Sequence, residues 1–416
     1  MGRKAYRSTL GGETEQPLHC SFCGREEGEV VTLIAGPSSY ICERCVTECA
    51  QILDRELDES VRPNLAELPH PQAIHGYLSQ YVVGQEHAKK VLSVAVYNHF
   101  KRLSYRASPG DPEIRKSNIM LVGPSGSGKT FLAETLARFL DVPFAVADAT
   151  TLTEAGYVGE DVETIVQRLL QQADNDPVRA ARGIVYLDEV DKLASRSRNP
   201  THSRDVSGEG VQQALLRLME GAVVNVHGGQ GRRGGESVEI DTREILFICG
   251  GAFQGLAEIV AGRTDGGGVG FAADLPRRRE TSRAVLESLE PEDLIGYGLI
   301  PEFVGRLPIT AVLEHLDEAA LVRILTEPRN ALVRQYQTLF DSEGCRLEFT
   351  DGALHAIAEE ALQRGTGARG LRGVLERILL EPMYSLPGLA ARSRITIDED
   401  AARAQQWPDR TRRVVQ

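Results

Sequence analysis

The sequence predicts an α/β fold in which a parallel sheet is covered by helices on both faces. Three short apolar segments, 119–122, 184–187 and 245–248, alternate with helical segments such as 131–140. Strands that are apolar throughout, with helices between them, are typical of a parallel sheet buried on both sides. From about Glu314 the pattern becomes mainly helical, which predicts a smaller C-terminal domain.

Composition disfavours two classes of function. The 416 residues carry 47 basic and 59 acidic side chains, a net charge of −12, whereas a protein that binds duplex nucleic acid usually shows a basic face. No apolar run approaches the roughly 20 residues that cross a bilayer, and residues 1–6 lead into polar sequence rather than an apolar signal core. We therefore expect no nucleic acid partner, no membrane association and a cytoplasmic location.

The loop after the first apolar segment reads Gly123-Pro-Ser-Gly-Ser-Gly-Lys129-Thr130 and fits G-x-x-x-x-G-K-[ST]. Such glycines let successive backbone N–H groups cradle phosphates, and the following helix points its positive end at the anion. Lys129 is expected to meet the β- and γ-phosphates of ATP, and Thr130 to bind Mg²⁺. A chance glycine turn is the alternative, which the flanking strand and helix disfavour. The predicted nucleotide-binding residues of this loop are Gly123, Pro124, Ser125, Gly126, Ser127, Gly128, Lys129, Thr130 and Phe131.

The second apolar segment ends in two carboxylates, Asp188 and Glu189. Asp188 is expected to hold the Mg²⁺ shell, and Glu189 to orient and deprotonate the attacking water. The alternative is a buried strand that ends in solvated acids, which becomes less attractive after a P-loop. A retained Glu189 favours ATP hydrolysis over binding alone.

Four cysteines near the N-terminus have the spacing of a zinc site: Cys20-x-x-Cys23, eighteen residues, then Cys42-x-x-Cys45. Tetrahedral Zn²⁺ takes two such close pairs, and a domain this small would depend on the metal for its folding energy. A disulfide pair or a redox motif is the alternative. Cys49 is interpreted as a spare thiol.

One glycine-flanked aromatic segment, Gly156-Tyr157-Val158-Gly159, lies between the two nucleotide motifs. Its glycines allow a mobile loop, and its ring offers a large contact that suits gripping a polypeptide. On the residues alone, a turn with a tucked-in tyrosine is the favoured explanation.

Two arginines stand beside glycines, Arg306 in Gly305-Arg306-Leu307 and Arg369 in Ala368-Arg369-Gly370. An arginine can stabilise the charge of a transferring phosphoryl group, in cis or from a neighbouring subunit. On the sequence alone, a surface ion pair is the favoured explanation of each arginine.

These motifs together resemble the ClpX family of AAA+ unfoldases, which partner the ClpP peptidase, over about residues 18–395. AAA+ proteins are P-loop NTPases, so the predicted fold class is an AAA+ parallel sheet covered by helices, a small mainly helical C-terminal domain and an N-terminal zinc-binding module. Besides the P-loop and the zinc spacing, the matching segments are Tyr81–Glu86, Gly156–Gly159, Arg204–Val211, Phe247–Phe253, Pro301–Arg306 and Thr366–Gly370.

The resemblance implies roles within a homohexamer that binds ATP between its subunits. Val82 and Val83 would lie against the adenine, Arg306 would reach a neighbour's γ-phosphate, and Arg369 would report nucleotide state to the small domain. Tyr157 and Val158 would line the axial pore. The loop around Ser195 to Asp205 would be the second pore loop. The zinc module would dimerise and recruit adaptor proteins.

For peptidase docking, the resemblance implies the tripeptide Val269-Gly270-Phe271. Two segments depart from the family pattern. The Arg-Lys-His motif at the pore entrance is replaced around Arg232-Arg233-Gly234, which places the preference for substrate tags in question, and the segment after Phe271 is atypical.

The expected function is ATP-dependent unfolding of substrate proteins and their translocation into ClpP, by an ATPase that is not itself a peptidase. A stand-alone remodelling chaperone, a zinc-dependent scaffold with structural nucleotide, and a nucleic-acid remodeller are the alternatives. The predicted domains are a flexible tail (1–16), the zinc-binding module (17–53), a linker (54–72), the large AAA+ ATPase domain (73–313), the small AAA+ domain (314–400) and a tail (401–416).

Overall fold

The structure is a computed structural model that describes residues 18–49, 68–105, 111–112, 114–153, 160–194, 208–227, 237–264, 285–385 and 393–404. The chain divides into two compact units, residues 1–64 and 65–416.

The first unit is built around its cysteines. Strand β1 (Leu33–Ala35) pairs with the antiparallel strand β2 (Tyr40–Cys42), and residues 43–49 are helical. Among the described residues of this unit, the buried apolar side chains are those of Cys20, Cys42 and Cys45, with a few partly buried aliphatic residues against them. A core this small gives little hydrophobic stabilisation, so the unit needs another source of folding energy.

The second unit contains a five-stranded parallel sheet. This sheet confirms the predicted fold class, and three of its strands are the apolar segments identified in the sequence. In order across the sheet, the strands are β11 (Ile309–Val312), β3 (Ile119–Val122), β10 (Leu246–Gly251), β7 (Ile184–Asp188) and β4 (Phe144–Asp148).

Helices cover both faces of this sheet. In β3, Met120 and Val122 pack into one hydrophobic cluster, while Ile119 and Leu121 pack into another on the opposite face. This alternation explains why the strand is apolar at every position. The helices of this region are α1 (Pro71–Ser79), α2 (Glu86–Ser104), α3 (Lys129–Leu140), α4 (Thr164–Gln172), α5 (Pro177–Ala181), α6 (Glu209–Glu220), α7 (Leu256–Thr264), α8 (Pro291–Tyr297) and α9 (Pro301–Gly305).

Two small sheets accompany the large one. Strands β5 (Leu152–Thr153) and β6 (Glu160–Asp161) are parallel, and β8 (Val223–His227) and β9 (Ser237–Asp241) form an antiparallel pair.

The last part of the chain is mainly helical, as predicted, and has a hydrophobic cluster of its own. A parallel pair of short strands, which the sequence analysis did not identify, packs with these helices. The elements are α10 (Glu318–Thr326), α11 (Leu332–Ser342), β12 (Arg346–Phe349), α12 (Asp351–Gln363), α13 (Ala368–Ser385), β13 (Arg394–Ile397) and α14 (Glu399–Ala404).

Candidate functional site

The glycine-rich loop joins the end of β3 to the start of α3. Gly126 and Gly128 have φ values of 76° and 98°, a backbone conformation that side chains with a Cβ rarely adopt. Gly128 is the N-cap of α3, so the unpaired N–H groups at the start of that helix face the loop. A strand, a glycine turn and a helix N-terminus in this order make an anion-binding cradle.

Two glycines of the loop contact residues that follow the last strand of the large sheet in the sequence. A Cβ on Gly123 would meet the side chain of Leu313 at 2.8 Å, and a Cβ on Gly126 would overlap the carbonyl oxygen of Thr366. The backbone N–H of Ala368 also donates to the Gly126 carbonyl (3.3 Å). The C-terminal helical region therefore contacts the anion-binding loop directly.

Lys129 points its ammonium group back into the loop. Its Nζ donates to the carbonyls of Gly123 (2.6 Å) and Pro124 (3.0 Å), and the residue is buried. Burial lowers the pKa of Lys129, and the carboxylate of Asp188 opposes that shift. A buried cation in the middle of an anion-binding loop is suited to contact phosphates.

Asp188 ends β7 beside this loop. Its Oδ2 accepts from the Thr130 hydroxyl (3.1 Å), and its Oδ1 accepts from the Tyr186 hydroxyl (3.2 Å) and the Glu189 backbone N–H (3.0 Å). Arg369 Nη2 lies 4.0 Å from Asp188 Oδ2. The structure therefore brings Thr130, Asp188 and Arg369 to one edge of the sheet, although they are distant in sequence.

The sequence analysis missed two buried residues of this region, Tyr186, which donates to the Asp188 carboxylate, and Asp191. Tyr186 is fully buried in β7, and its hydroxyl occupies the space that a Cβ on Gly250 would need. Asp191, also buried, accepts from the backbone N–H groups of Ala252 and Phe253, each at 3.3 Å. Only the glycine at position 250 hinted at a close approach, because a glycine inside a strand often marks one.

The four cysteines of the first unit form a compact cluster. Their Sγ atoms all lie within 4.8 Å of one another, with Cys20 and Cys45 3.9 Å apart and Cys23 and Cys42 3.7 Å apart. Four sulfurs about 2.3 Å from a tetrahedral Zn²⁺ would be separated by about 3.8 Å, so the cluster fits zinc.

Backbone contacts prepare one of these thiols for metal binding. Burial raises the pKa of Cys20, but N–H groups including those of Cys23 and Cys42 outweigh this effect and lower the pKa to about 6. Burial raises the pKa of Cys45. Gly24, at φ 74°, provides the tight turn after the first pair. The predicted ligand set is thus brought together, and the thiols are free cysteines rather than disulfides.

Three protein-family models match successive parts of the chain. The ClpX C4-type zinc finger matches residues 18–55, the AAA domain (Cdc48 subfamily) matches residues 114–310, and the C-terminal, D2-small domain of ClpB protein matches residues 316–391. Of these three models, the zinc-finger model is the one whose description names ClpX. The chain is a ClpX-like AAA+ protein.

In this ClpX-like protein the buried side chain of Lys89 bonds to the segment that follows α1. Val82 and Val83, predicted to contact adenine, are both buried. Lys89, 1% exposed, donates to the Val82 carbonyl (3.3 Å), the Ser79 hydroxyl (2.9 Å) and Glu86 Oε1 (2.7 Å). All three donors of this ammonium group are satisfied. Phe131, the other apolar residue predicted here, packs against the same cluster as Val82.

Gln85 connects this segment to the start of the C-terminal region. Its side-chain Nε2 donates to the carbonyl of Glu314 (3.0 Å), and its Oε1 accepts from the backbone N–H of Glu314 (2.7 Å). Gln85 is buried and has a φ of 58°, which is strained for a residue with a Cβ. Sequence reasoning missed Gln85 because its partner lies 229 residues away.

Arg306, in contrast, lies away from the loop of its own chain. It follows α9 and precedes β11, which runs parallel to β3 with Ile309 beside Ile119 and Val312 beside Val122. Arg306 is therefore at the edge where the strands begin, while the P-loop is at the edge where they end. The two edges are separated by the four residues of β3, about 13 Å of strand.

Some predicted site residues lie outside the described residues. These are Tyr157 and Val158, the tripeptide Val269-Gly270-Phe271, the segment from Ser195 to Asp205, and Arg232-Arg233-Gly234. In the part of the chain that the structure describes, none of the helices has both the length and the apolar character needed to cross a bilayer.

Proposed function

We propose that this chain is an ATP-dependent protein unfoldase that works as a homohexamer and delivers unfolded substrates to the ClpP peptidase. The observation that carries the proposal is the division of the site between two edges of the sheet. Lys129, Thr130, Asp188 and Arg369 gather at one edge, whereas Arg306 is held at the other. A site completed by Arg306 therefore needs a second copy of the chain.

In the proposed hydrolysis of ATP, each residue of the candidate site has a different role. Lys129 neutralises charge on the β- and γ-phosphates, and the glycine loop fixes their position through backbone N–H groups. Thr130 and Asp188 would hold Mg²⁺, which supplies charge neutralisation on the phosphates when bound. Glu189 accepts the proton of the attacking water.

Coupling to movement follows from the contacts between the loop and the C-terminal region. Arg369 and the Thr366 backbone lie against the phosphate side of the site, and Gln85 links the adenine side to Glu314. Nucleotide that binds or leaves would therefore bias the C-terminal region from both sides of the site. In the proposed cycle this movement shifts Tyr157 and Val158, which grip substrate in the pore, while Val269-Gly270-Phe271 docks ClpP.

The action of Arg306 on a neighbouring subunit can be tested with mixed rings. Arg306→Ala and Glu189→Gln are each expected to lower ATP hydrolysis at least about a hundredfold when assayed alone. In mixtures, a Glu189→Gln subunit supplies an intact arginine to the functional site of an Arg306→Ala neighbour, so activity should return. Steady-state phosphate release at several mixing ratios measures this. Mixtures no more active than the separate variants would contradict action in trans.

The unfolding activity is tested with a stable fluorescent protein that carries an unstructured degradation tag. We expect fluorescence to fall in the presence of this protein and ATP, and to persist with Tyr157→Ala because the pore grip is lost. The matched control is Tyr384→Ala, which truncates a different tyrosine, one that is exposed near the end of α13. ATP hydrolysis without loss of fluorescence for any tag would contradict the unfoldase proposal. Unfolding without co-elution with ClpP would instead support stand-alone remodelling.

A further inference from the structure

Arg306 is held by an ion pair with Glu220, the last residue of α6. Arg306 Nε and Nη2 both donate to Glu220 Oε1, at 2.9 and 2.5 Å. The two side chains are 48% and 43% exposed. Ion pairs this exposed contribute little to stability, so stability alone is a weak reason for the pair.

The position of Glu220 is electrostatically unfavourable for a carboxylate. The C-terminus of a helix carries partial negative charge, which repels an acidic side chain placed there. Glu220 is the C-terminal residue of α6, and the guanidinium of Arg306 offsets this repulsion. The pair therefore joins an acid in an unfavourable place to the one arginine that the proposed function needs at this edge.

The helix end that presents Glu220 is rigidly built. Gly221, the C-cap of α6, has a φ of 111°, and the side chain of Arg243 fills the space beside its Cα. The Thr242 hydroxyl donates to the Leu218 carbonyl at 2.8 Å. A residue with a Cβ at position 221 would be strained and would collide with Arg243. The carboxylate is thus held by a fixed helix end rather than by a mobile loop.

The backbone of Arg306 is fixed as well. Asn118, which is 1% exposed, donates from Nδ2 to the Arg306 carbonyl (3.0 Å) and accepts at Oδ1 from the Phe247 backbone N–H (3.3 Å). This amide links the residue to the edge of the central sheet at β10. Both ends of Arg306, its main chain and its guanidinium, are therefore anchored to rigid elements.

We propose that Glu220 is a positioning residue for Arg306, and this inference rests on the function proposed above. Glu220 binds the edge of the guanidinium formed by Nε and Nη2, which orients Nη1 for the γ-phosphate held by a neighbouring subunit. The ion pair removes the rotational freedom of a long side chain before the neighbour's nucleotide arrives. Glu220 touches no nucleotide in this arrangement and works only through Arg306.

A double-mutant cycle tests this dependence. Glu220→Gln is expected to lower kcat for ATP hydrolysis about tenfold, with KM unchanged, because binding of ATP does not involve Glu220. The double variant Glu220→Gln with Arg306→Ala should be no slower than Arg306→Ala alone, since the first change acts through the second residue. Glu220→Asp, which keeps the charge, is expected to recover part of the lost rate.

Glu327→Gln is the matched control, because Glu327 is about half exposed and accepts from Arg323 Nε, four residues earlier at the end of α10. It should hydrolyse ATP at the parental rate. Light scattering in the presence of ATP measures ring assembly and identifies a variant that does not assemble. If Glu220→Gln does not assemble, the rate of ATP hydrolysis by Glu220→Asp is the measurement that decides. Parental kcat in Glu220→Gln, or losses that add in the double variant, would overturn the inference. A parental chain without ATP hydrolysis, or an Arg306→Ala variant at the parental rate, would instead refute the proposed function.

Discussion

Glu189→Gln is expected to lower ATP hydrolysis by about 10²–10⁴-fold while ATP still binds. Glu189 follows β7 directly and has a φ of 57°, so the chain turns sharply and separates its side chain from that of Asp188. Asp188 remains bonded to Thr130 and Tyr186 in the variant, so the binding loop keeps its support. An amide cannot accept the proton of water, so the variant lacks the proposed general base but keeps the proposed nucleotide contacts.

Two measurements separate the effects on binding and on hydrolysis. Phosphate release gives kcat, and equilibrium binding of a fluorescent ATP analogue gives the dissociation constant. Glu134→Gln is the matched control, because Glu134 lies on α3, is half exposed and pairs with Arg138. A Glu189→Gln variant with turnover equal to the parent would contradict the assignment. Such a result would favour the alternative hypothesis of a scaffold protein in which bound nucleotide has only a structural role.

The parts of the site that lie close in sequence could be predicted from the sequence. Gly123 to Thr130 and the pair Asp188 and Glu189 each follow an apolar strand, and each motif is continuous in the chain. The zinc ligands were also predictable, because two close pairs of cysteines need only short turns to converge. Local patterns of this kind depend on a few neighbouring residues and leave a visible signature.

The parts that depend on distant contacts could not be predicted from patterns. Gln85 bonds to Glu314, and Gly126 meets Thr366, although each pair is separated by more than two hundred residues in the chain. Nothing near Gln85 in the sequence reveals its partner. Resemblance to a family indicated that Arg369 belongs to the site, but its 4.0 Å approach to Asp188 depends on how the C-terminal region packs.

Two strands of the central sheet escaped prediction for a related reason. Strands β4 and β11 are the outermost members of the sheet order. Strand β4 contains two alanines, which have low β-propensity, and its Val146 is 42% exposed, while β11 contains the polar, partly exposed Thr310, so neither strand has the strong signature of a strand buried on both faces. An edge strand needs less apolar surface than a central one, and its pattern is correspondingly weaker.

Removal of Zn²⁺ is expected to unfold residues 18–49 and to leave ATP hydrolysis largely intact. The described buried apolar side chains of the first unit are those of three cysteines, so little hydrophobic burial remains without the metal. Structural zinc contributes about 10–16 kcal/mol of apparent binding free energy in small domains, far more than such a core can replace. The proposed nucleotide site belongs to the other compact unit, which has a sheet and hydrophobic clusters of its own.

The test uses the full chain and two cysteine variants. Cys45→Ser removes a member of the cluster, whereas Cys49→Ser removes a nearby thiol outside it. We expect Cys45→Ser to lose zinc and the hydrogen-exchange protection of residues 18–49, and Cys49→Ser to retain both. ATP hydrolysis should remain near the parental rate in both variants and after chelation. Loss of hydrolysis in Cys45→Ser, with Cys49→Ser unaffected, would show that the zinc cluster supports the ATPase unit, because only the metal ligand set distinguishes the two variants.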